Sequence, residues 1–317
     1  MSSCSTGAIA TGDGAAPATG GQSGSGGAAI TDAGGAGSGG AAMGGSGGAP
    51  VVTDAGAANA PDAVVDGPRR DKILIYGVTG GGYRHASIPA AAQAIAQAAA
   101  KVGLTADLVG VTDQTNMVDR SKFTTTALAQ YGAVILLAND GEPFGYPATD
   151  EIQNLTDYVQ AGGALVGIEC VTDCYGGAVS GPQTGHPKSV PFHQLLGATF
   201  QDHPGNFAPA TCSKVGPGTH PSVAQLAPTF RTTDEIYSFT DLRMDNQVVL
   251  TCVSNTAPAV VRPISWVREE GQGRVFYSAL GHADSHWMTA LDPAVPNSLL
   301  VDDLVLPGLL WSMKRTF

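Results

Sequence analysis

Four short apolar runs in this chain each lead into a cluster of polar, chemically capable residues, and that repetition restricts the fold more than any other feature. Lys72–Tyr76 leads to Tyr83, Arg84 and His85; Ala133–Leu137 to Asn139 and Asp140; Ala164–Ile168 to Glu169 and Cys170; and 274–280 to Gly281 and His282. Short continuous apolar runs suit strands buried on both faces of a parallel sheet. Such a sheet gathers the carboxyl ends of its strands along one edge, where open α/β folds bind their ligands. The pattern predicts one pocket built from residues far apart in the chain.

The segments between the runs fit this plan. Gly80, Gly81 and Gly82 permit a sharp turn after the first strand, and Ser87 ahead of Pro89 signals a helix start. The Ala- and Gln-rich stretch 90–102 is helical by propensity and ends at Gly103. A second strand is expected over 105–111 and a short helix over 124–130. Ile152, Leu155 and Val159 give 150–160 the apolar spacing of a helix, which Gly162 and Gly163 stop. Alternating strand and helix predicts an α/β fold with helices on both faces of a mainly parallel sheet. From Thr199 the rhythm shifts to β-like runs at 247–253, 260–267 and 274–280, so the second half is expected to add antiparallel strands. A closing helix over 299–313 should break at Pro307 and Gly308.

Ahead of this lies a segment, about 5–60, made almost wholly of Gly, Ala, Ser, Thr and Asp. It lacks the apolar surface needed to offset the entropy of ordering, so residues 1–68 read as a flexible tether and 69–317 as the folded domain. Small residues ahead of Cys4, with the tether behind it, look like the mature start of a bacterial lipoprotein; a lipid on Cys4 and an extracytoplasmic location, periplasmic or cell surface, are the expectations. The other cysteines pair as Cys170 with Cys174 across a tight loop and Cys212 with Cys252 between strand-like runs, as suits an exported domain. Net charge is −11, with 16 Lys and Arg against 27 Asp and Glu. That balance argues against a nucleic-acid partner and suits a small neutral carbohydrate.

Candidate chemistry sits at the strand ends. His85 follows the triple glycine beside Tyr83 and Arg84. In glutamine amidotransferases a strand-to-turn elbow like 165–170 carries a nucleophilic Cys, but here the elbow position, second after Gly167, is Glu169. Cys170 falls one place later, so Glu169 reads as a general acid or base, or as an acceptor for sugar hydroxyls. Among the His-Pro pairs at His186, His203 and His220, His203 is the favoured ligand and His220 a loop-fixing residue. Asp234, Glu235 and Tyr237 gather two acids and a phenol, of which adjacent positions cannot both enter one pocket from a strand. Gly281 lets the chain turn where the His282 ring must emerge. Catalytic roles are thus expected of His85, Glu169 and His282, and substrate contacts of Tyr83, Arg84, His203, Asp234, Glu235, Tyr237, Trp266 and Trp287. No cofactor is required by this reading, although a divalent metal among His85, Glu169, His203 and His282 is compatible with their N and O atoms.

Taken in order, these residues resemble the trehalose-utilisation (ThuA-like) family, whose fold is similar to that of class I glutamine amidotransferases. The resemblance runs from Lys72-Ile73-Leu74 and Gly82-Tyr83-Arg84-His85 through the strand ending at Ile168, Gln201-Asp202-His203-Pro204, Thr219-His220-Pro221 and Thr233-Asp234-Glu235-Ile236-Tyr237 to Leu280-Gly281-His282. It implies a flavodoxin-like, three-layer fold and a role in carbohydrate metabolism, on disaccharides, glycosides or their keto derivatives. Family members commonly carry His at the elbow, where this chain has Glu169. Two other readings follow from the same residues: a non-catalytic sugar-binding module that uses Tyr83, Tyr237, Trp266 and Trp287 as stacking platforms, and a thiol amidohydrolase that needs Cys170 free.

Overall fold

The computed structural model describes residues 70–112, 117–176, 188–203, 207–216, 220–256, 259–288 and 299–316. The expected tether, Cys4 and the His186 pair lie outside them. In chain order the elements are β1 (Lys72–Tyr76), α1 (Ser87–Lys101), β2 (Thr105–Val109), α2 (Thr125–Leu128), β3 (Ala133–Leu137), α3 (Thr149–Gln160), β4 (Ala164–Ile168) and α4 (Val190–Leu196). They continue as β5 (Thr199–Asp202), β6 (Ala208–Lys214), β7 (Thr229–Asp234), β8 (Ser238–Thr240), β9 (Gln247–Ser254), β10 (Val261–Glu270), β11 (Gly273–Ser278) and α5 (Leu306–Ser312).

Nine strands form one sheet in the order β2-β1-β3-β4-β11-β10-β9-β6-β7, and β5 pairs with β8 separately. Pairing is parallel from β2 through β11 and antiparallel from β11 through β7. The parallel half therefore has the flavodoxin-like strand order, with ligand sites expected beyond its carboxyl ends.

Why the apolar runs are continuous is visible in the packing. Along β1, β3 and β4 successive side chains enter opposite layers. Ile73, Ile75, Ile135 and Val166 join Ile88 and Ile95 of α1 and Leu309 of α5. Leu74, Tyr76, Val134 and Leu165 join Leu128 of α2, Ile152 and Leu155 of α3, and Phe192 of α4. Truncating any one of these to Ala costs about 2–5 kcal/mol.

The structure departs from the sequence reading at three points. The closing helix does not break at Pro307: a π-helical turn, Val301–Val305, runs directly into α5, whose first turn holds the proline. The wider π turn immediately ahead of Pro307 accommodates the proline within one continuous helix. Gly308 instead allows close contact with β11, since a Cβ would lie 2.5 Å from the Phe276 ring. The strand β7 was not legible because its buried face, Phe230, Thr232 and Asp234, is mostly polar.

The third departure concerns cysteines. Cys212 and Cys252 are register partners on β6 and β9 and form a disulfide, as expected. Cys170 and Cys174 are both buried thiols and are not bridged to each other. The 3-10 turn Glu169–Asp173 sends their side chains to opposite layers, Cys170 to the α1 side and Cys174 to the α3 side. No helix among the described residues is long and apolar enough to cross a membrane.

Candidate active site

Beyond β4, Glu169 takes φ 63°, a left-handed conformation that costs a non-glycine residue about 1–3 kcal/mol. The Tyr277 hydroxyl holds it there by donating to the Glu169 carbonyl at 2.6 Å, and lies 3.1 Å from the Thr172 hydroxyl. The turn aims the Glu169 side chain over the strand ends, where Oε2 accepts the backbone N–H of Cys170.

Imidazoles approach this carboxylate from two sides. His85 Nε2 lies 3.4 Å from Oε2, and His282 Nδ1 lies 3.3 Å from Oε1. The Tyr237 hydroxyl donates to the same Oε1. Glu235 completes the group: its Oε2 is 3.0 Å from His282 Nδ1 and 3.3 Å from the Tyr237 hydroxyl, and its Oε1 is 3.9 Å from His203 Nδ1. The His85 and His282 rings meet edge to face at 4.8 Å, and Tyr83 meets His85 at the same distance. His85, Glu169, His203, Glu235, Tyr237 and His282 thus converge, with only the His282 side chain noticeably exposed, at 12 %.

Burial alone would raise the Glu169 carboxyl, but the charges of His85 and His282 and the hydrogen bonds from His282 and Cys170 outweigh it. The group is held well below the usual carboxylate range and stays ionised. Asp234 behaves oppositely. Its burial dominates over His286 and two backbone N–H donors, and its carboxyl is raised.

Several expected ligand residues serve instead as supports. Asp234 accepts from the N–H groups of Gly281 and Glu235, both at 2.9 Å, and faces His286 Nδ1 at 3.4 Å. Arg84 donates to the carbonyls of Gly77, Gly110 and Thr112, clamping the loop after β1 to the end of β2. Trp266, expected to stack on a sugar, has no exposed surface; it stacks on Tyr277 and donates to the Leu196 carbonyl beneath the site. Trp287, also expected as a platform, is buried and donates to the Gly281 carbonyl. His220 accepts the Ser222 N–H and packs on Trp311, a loop-fixing role.

The loops are latched to one another as well. Asn139 donates to the carbonyls of Tyr76 and Val78, and Asp140 accepts the Tyr83 N–H at 2.8 Å. Gly80 is required by close approach, because a Cβ there would lie 1.9 Å from the Glu142 carbonyl oxygen. One residue at the site was missed in the sequence. Phe207, with φ 53°, places its ring 5.3 Å from His282 and stacked on His286 at 5.8 Å. No apolar run precedes it, so nothing marked it as a site residue.

Among the described residues, two groups have the donor atoms to hold a metal ion: His85 with Glu169 and Cys170, and Glu169 with Glu235 and His282. In the first, the Cys170 Sγ lies 3.6 Å from His85 Nδ1 and donates to the Asn139 carbonyl at 3.2 Å.

A flavodoxin-like parallel half-sheet with a left-handed elbow residue at the end of β4 defines a glutamine amidotransferase-like α/β protein in which a carboxylate occupies the nucleophile's place. The profile of the ThuA family, described as trehalose utilisation, matches residues 72–294, and the chain belongs to that family. No curated protein matches the chain. Similar solved structures include a ThuA-like protein from Parabacteroides merdae, at TM-score 0.54 and 16 % identity over 77 % of this chain and 90 % of that one. A ThuA-like protein from Bacteroides uniformis gives 0.50 at 19 % identity over 77 % and 98 %. A cytoplasmic protein from Salmonella typhimurium gives 0.50 at 16 % identity over 76 % and 98 %. At these identities the likeness is one of fold.

Proposed function

We propose that this protein processes a small neutral carbohydrate, a disaccharide, glycoside or keto-sugar derivative, at the site centred on Glu169. The observation that carries this reading is the buried Glu169 carboxyl group set between His85 and His282 at the strand ends. Such a centre accepts a proton from a hydroxyl, or from a carbon beside a carbonyl, and returns it to a leaving oxygen. Positioned acid and base groups of this kind contribute about 10²–10⁴-fold to rate. In this scheme His85 takes and returns the moving proton, the Glu169 carboxylate stabilises the imidazolium that forms, and His282, the more open residue, contacts substrate hydroxyls. Membership of the trehalose-utilisation family supports a sugar as substrate.

We place the protein outside the cytoplasm, a reading supported by the Cys212–Cys252 disulfide, since such bonds persist in oxidising compartments. A thiol amidohydrolase gains from the Cys170 thiol lying beside His85, outside any disulfide. Against it, the thiol is fully buried, stands one place past the elbow position and donates to the Asn139 carbonyl.

The test is turnover of a panel of glycosides and keto-glycosides by the wild type and by His85→Ala and His282→Ala. Turnover that falls about 10²-fold or more in both variants is expected. Unchanged turnover in the variants rejects these roles. Binding of a sugar with no turnover by the wild type assigns the protein to sugar binding instead.

A further inference from the structure

We infer that Glu169, Glu235 and His282 form a binding site for one divalent transition-metal ion, of the zinc or manganese kind. The inference concerns the same site as the sugar reading and adds to it a cofactor class. The three ligands come from separate segments: the elbow after β4, the turn between β7 and β8, and the turn after β11. Their donor atoms all lie within 4.8 Å of one another, with His282 Nδ1 at 3.3 Å from Glu169 Oε1 and 3.0 Å from Glu235 Oε2. A zinc ion bound at about 2.0–2.2 Å to each places its ligands at comparable separations.

Burial strengthens the case. Glu169 and Glu235 are 0 % and 1 % exposed, so an ion held between them is shielded from water and attracted more strongly than at the surface.

An independent observation points to the same place. His203 is buried, its Nδ1 has no hydrogen-bond partner among the described residues, and that nitrogen lies 3.9 Å from Glu235 Oε1. A buried ring nitrogen aimed at the edge of a carboxylate cluster suits a further ligand or a partner that orients one. The mixture of imidazole and carboxylate selects the metal class, since magnesium and calcium favour oxygen ligands alone. The alternative group with His85 and Cys170 is less suited, because the Cys170 S–H is directed to the Asn139 carbonyl.

With the ion on Glu169, Glu235 and His282, adjacent oxygens of a sugar or hydroxyketone have a common anchor there. His85, which faces the other oxygen of Glu169, keeps its place beside the proton.

The experiment is calorimetric titration of the full-length, EDTA-dialysed protein with zinc chloride and, separately, manganese chloride, with metal content of the untreated protein measured by mass spectrometry. One ion per chain is expected. Glu235→Gln and His282→Ala, checked for folding by circular dichroism, should weaken binding at least ~10-fold, and His203→Ala on the order of 10–100-fold. Cys170→Ser should bind as the wild type does. His282 is partly exposed, so its variant serves if Glu235→Gln does not fold. No binding by the wild type, or undiminished binding by folded His282→Ala, overturns the site. Turnover of a sugar by metal-free protein removes the metal and keeps the sugar reading; a bound ion with no turnover or binding of any sugar does the reverse.

Discussion

Asp234 accepts the backbone N–H of Gly281 at 2.9 Å, and this one bond ties the end of β7 to the turn that carries His282. Because the same carboxylate also accepts the N–H of Glu235, it sets the position of two members of the site without touching either side chain. Asp234→Ala leaves two donors without their acceptor and should cost about 2–4 kcal/mol in denaturant unfolding. Asp234→Asn keeps one carbonyl oxygen and should cost less. Equal stability of Asp234→Ala and wild type contradicts the role.

Gly281 has φ 131°, and a Cβ there would lie 2.7 Å from Trp287 Cζ2. Gly281→Ala should therefore destabilise the fold by more than about 1 kcal/mol and alter tryptophan emission as Trp287 is displaced. Fluorescence and thermal unfolding measured on the same sample check both.

Two groups make the fold acid-sensitive in different windows. Burial, with Lys188 nearby, lowers His193 from 6.5 to about 4. The unfolded chain then binds more protons than the native one between these values, so stability falls as pH drops from 6.5 to about 4, by about 3 kcal/mol in all. Glu169 has its folded value below the ordinary 4.5, so its contribution is complete above that pH and is lost as pH falls further. His193→Phe should flatten the upper window, and Glu169→Gln the lower. Unfolding measured from pH 7 to pH 3 separates them.

Peptide mapping under non-reducing conditions should find one bridge, Cys212–Cys252, with Cys170 and Cys174 alkylated only after unfolding, because both thiols are buried. Replacing the bridge with Ala at both positions should cost about 2–4 kcal/mol. A Cys170–Cys174 peptide contradicts the geometry of the elbow.

What the sequence could and could not convey follows from these same residues. β1, β3 and β4 were legible because strands buried on both faces need apolar residues at every position, and Glu169 was legible because Gly167 marks the elbow. The convergence of His85, Glu169 and His282 followed from the parallel order of the strands that carry them. Trp266 and Trp287 were misread because sequence does not tell an aromatic ring that faces a pocket from one that lies beneath it. The spacing of Cys170 and Cys174 suggested a bridge, but a 3-10 turn sends the two chains apart. Phe207 reaches His282 only through tertiary packing.

The most direct test of the central claim is kcat for Glu169→Gln on whichever sugar the wild type turns over. Glutamine preserves the size of the side chain while removing the charge that His85 and His282 face. A folded variant with kcat lowered about 10²-fold or more is predicted. Turnover equal to that of the wild type contradicts a catalytic centre built on Glu169.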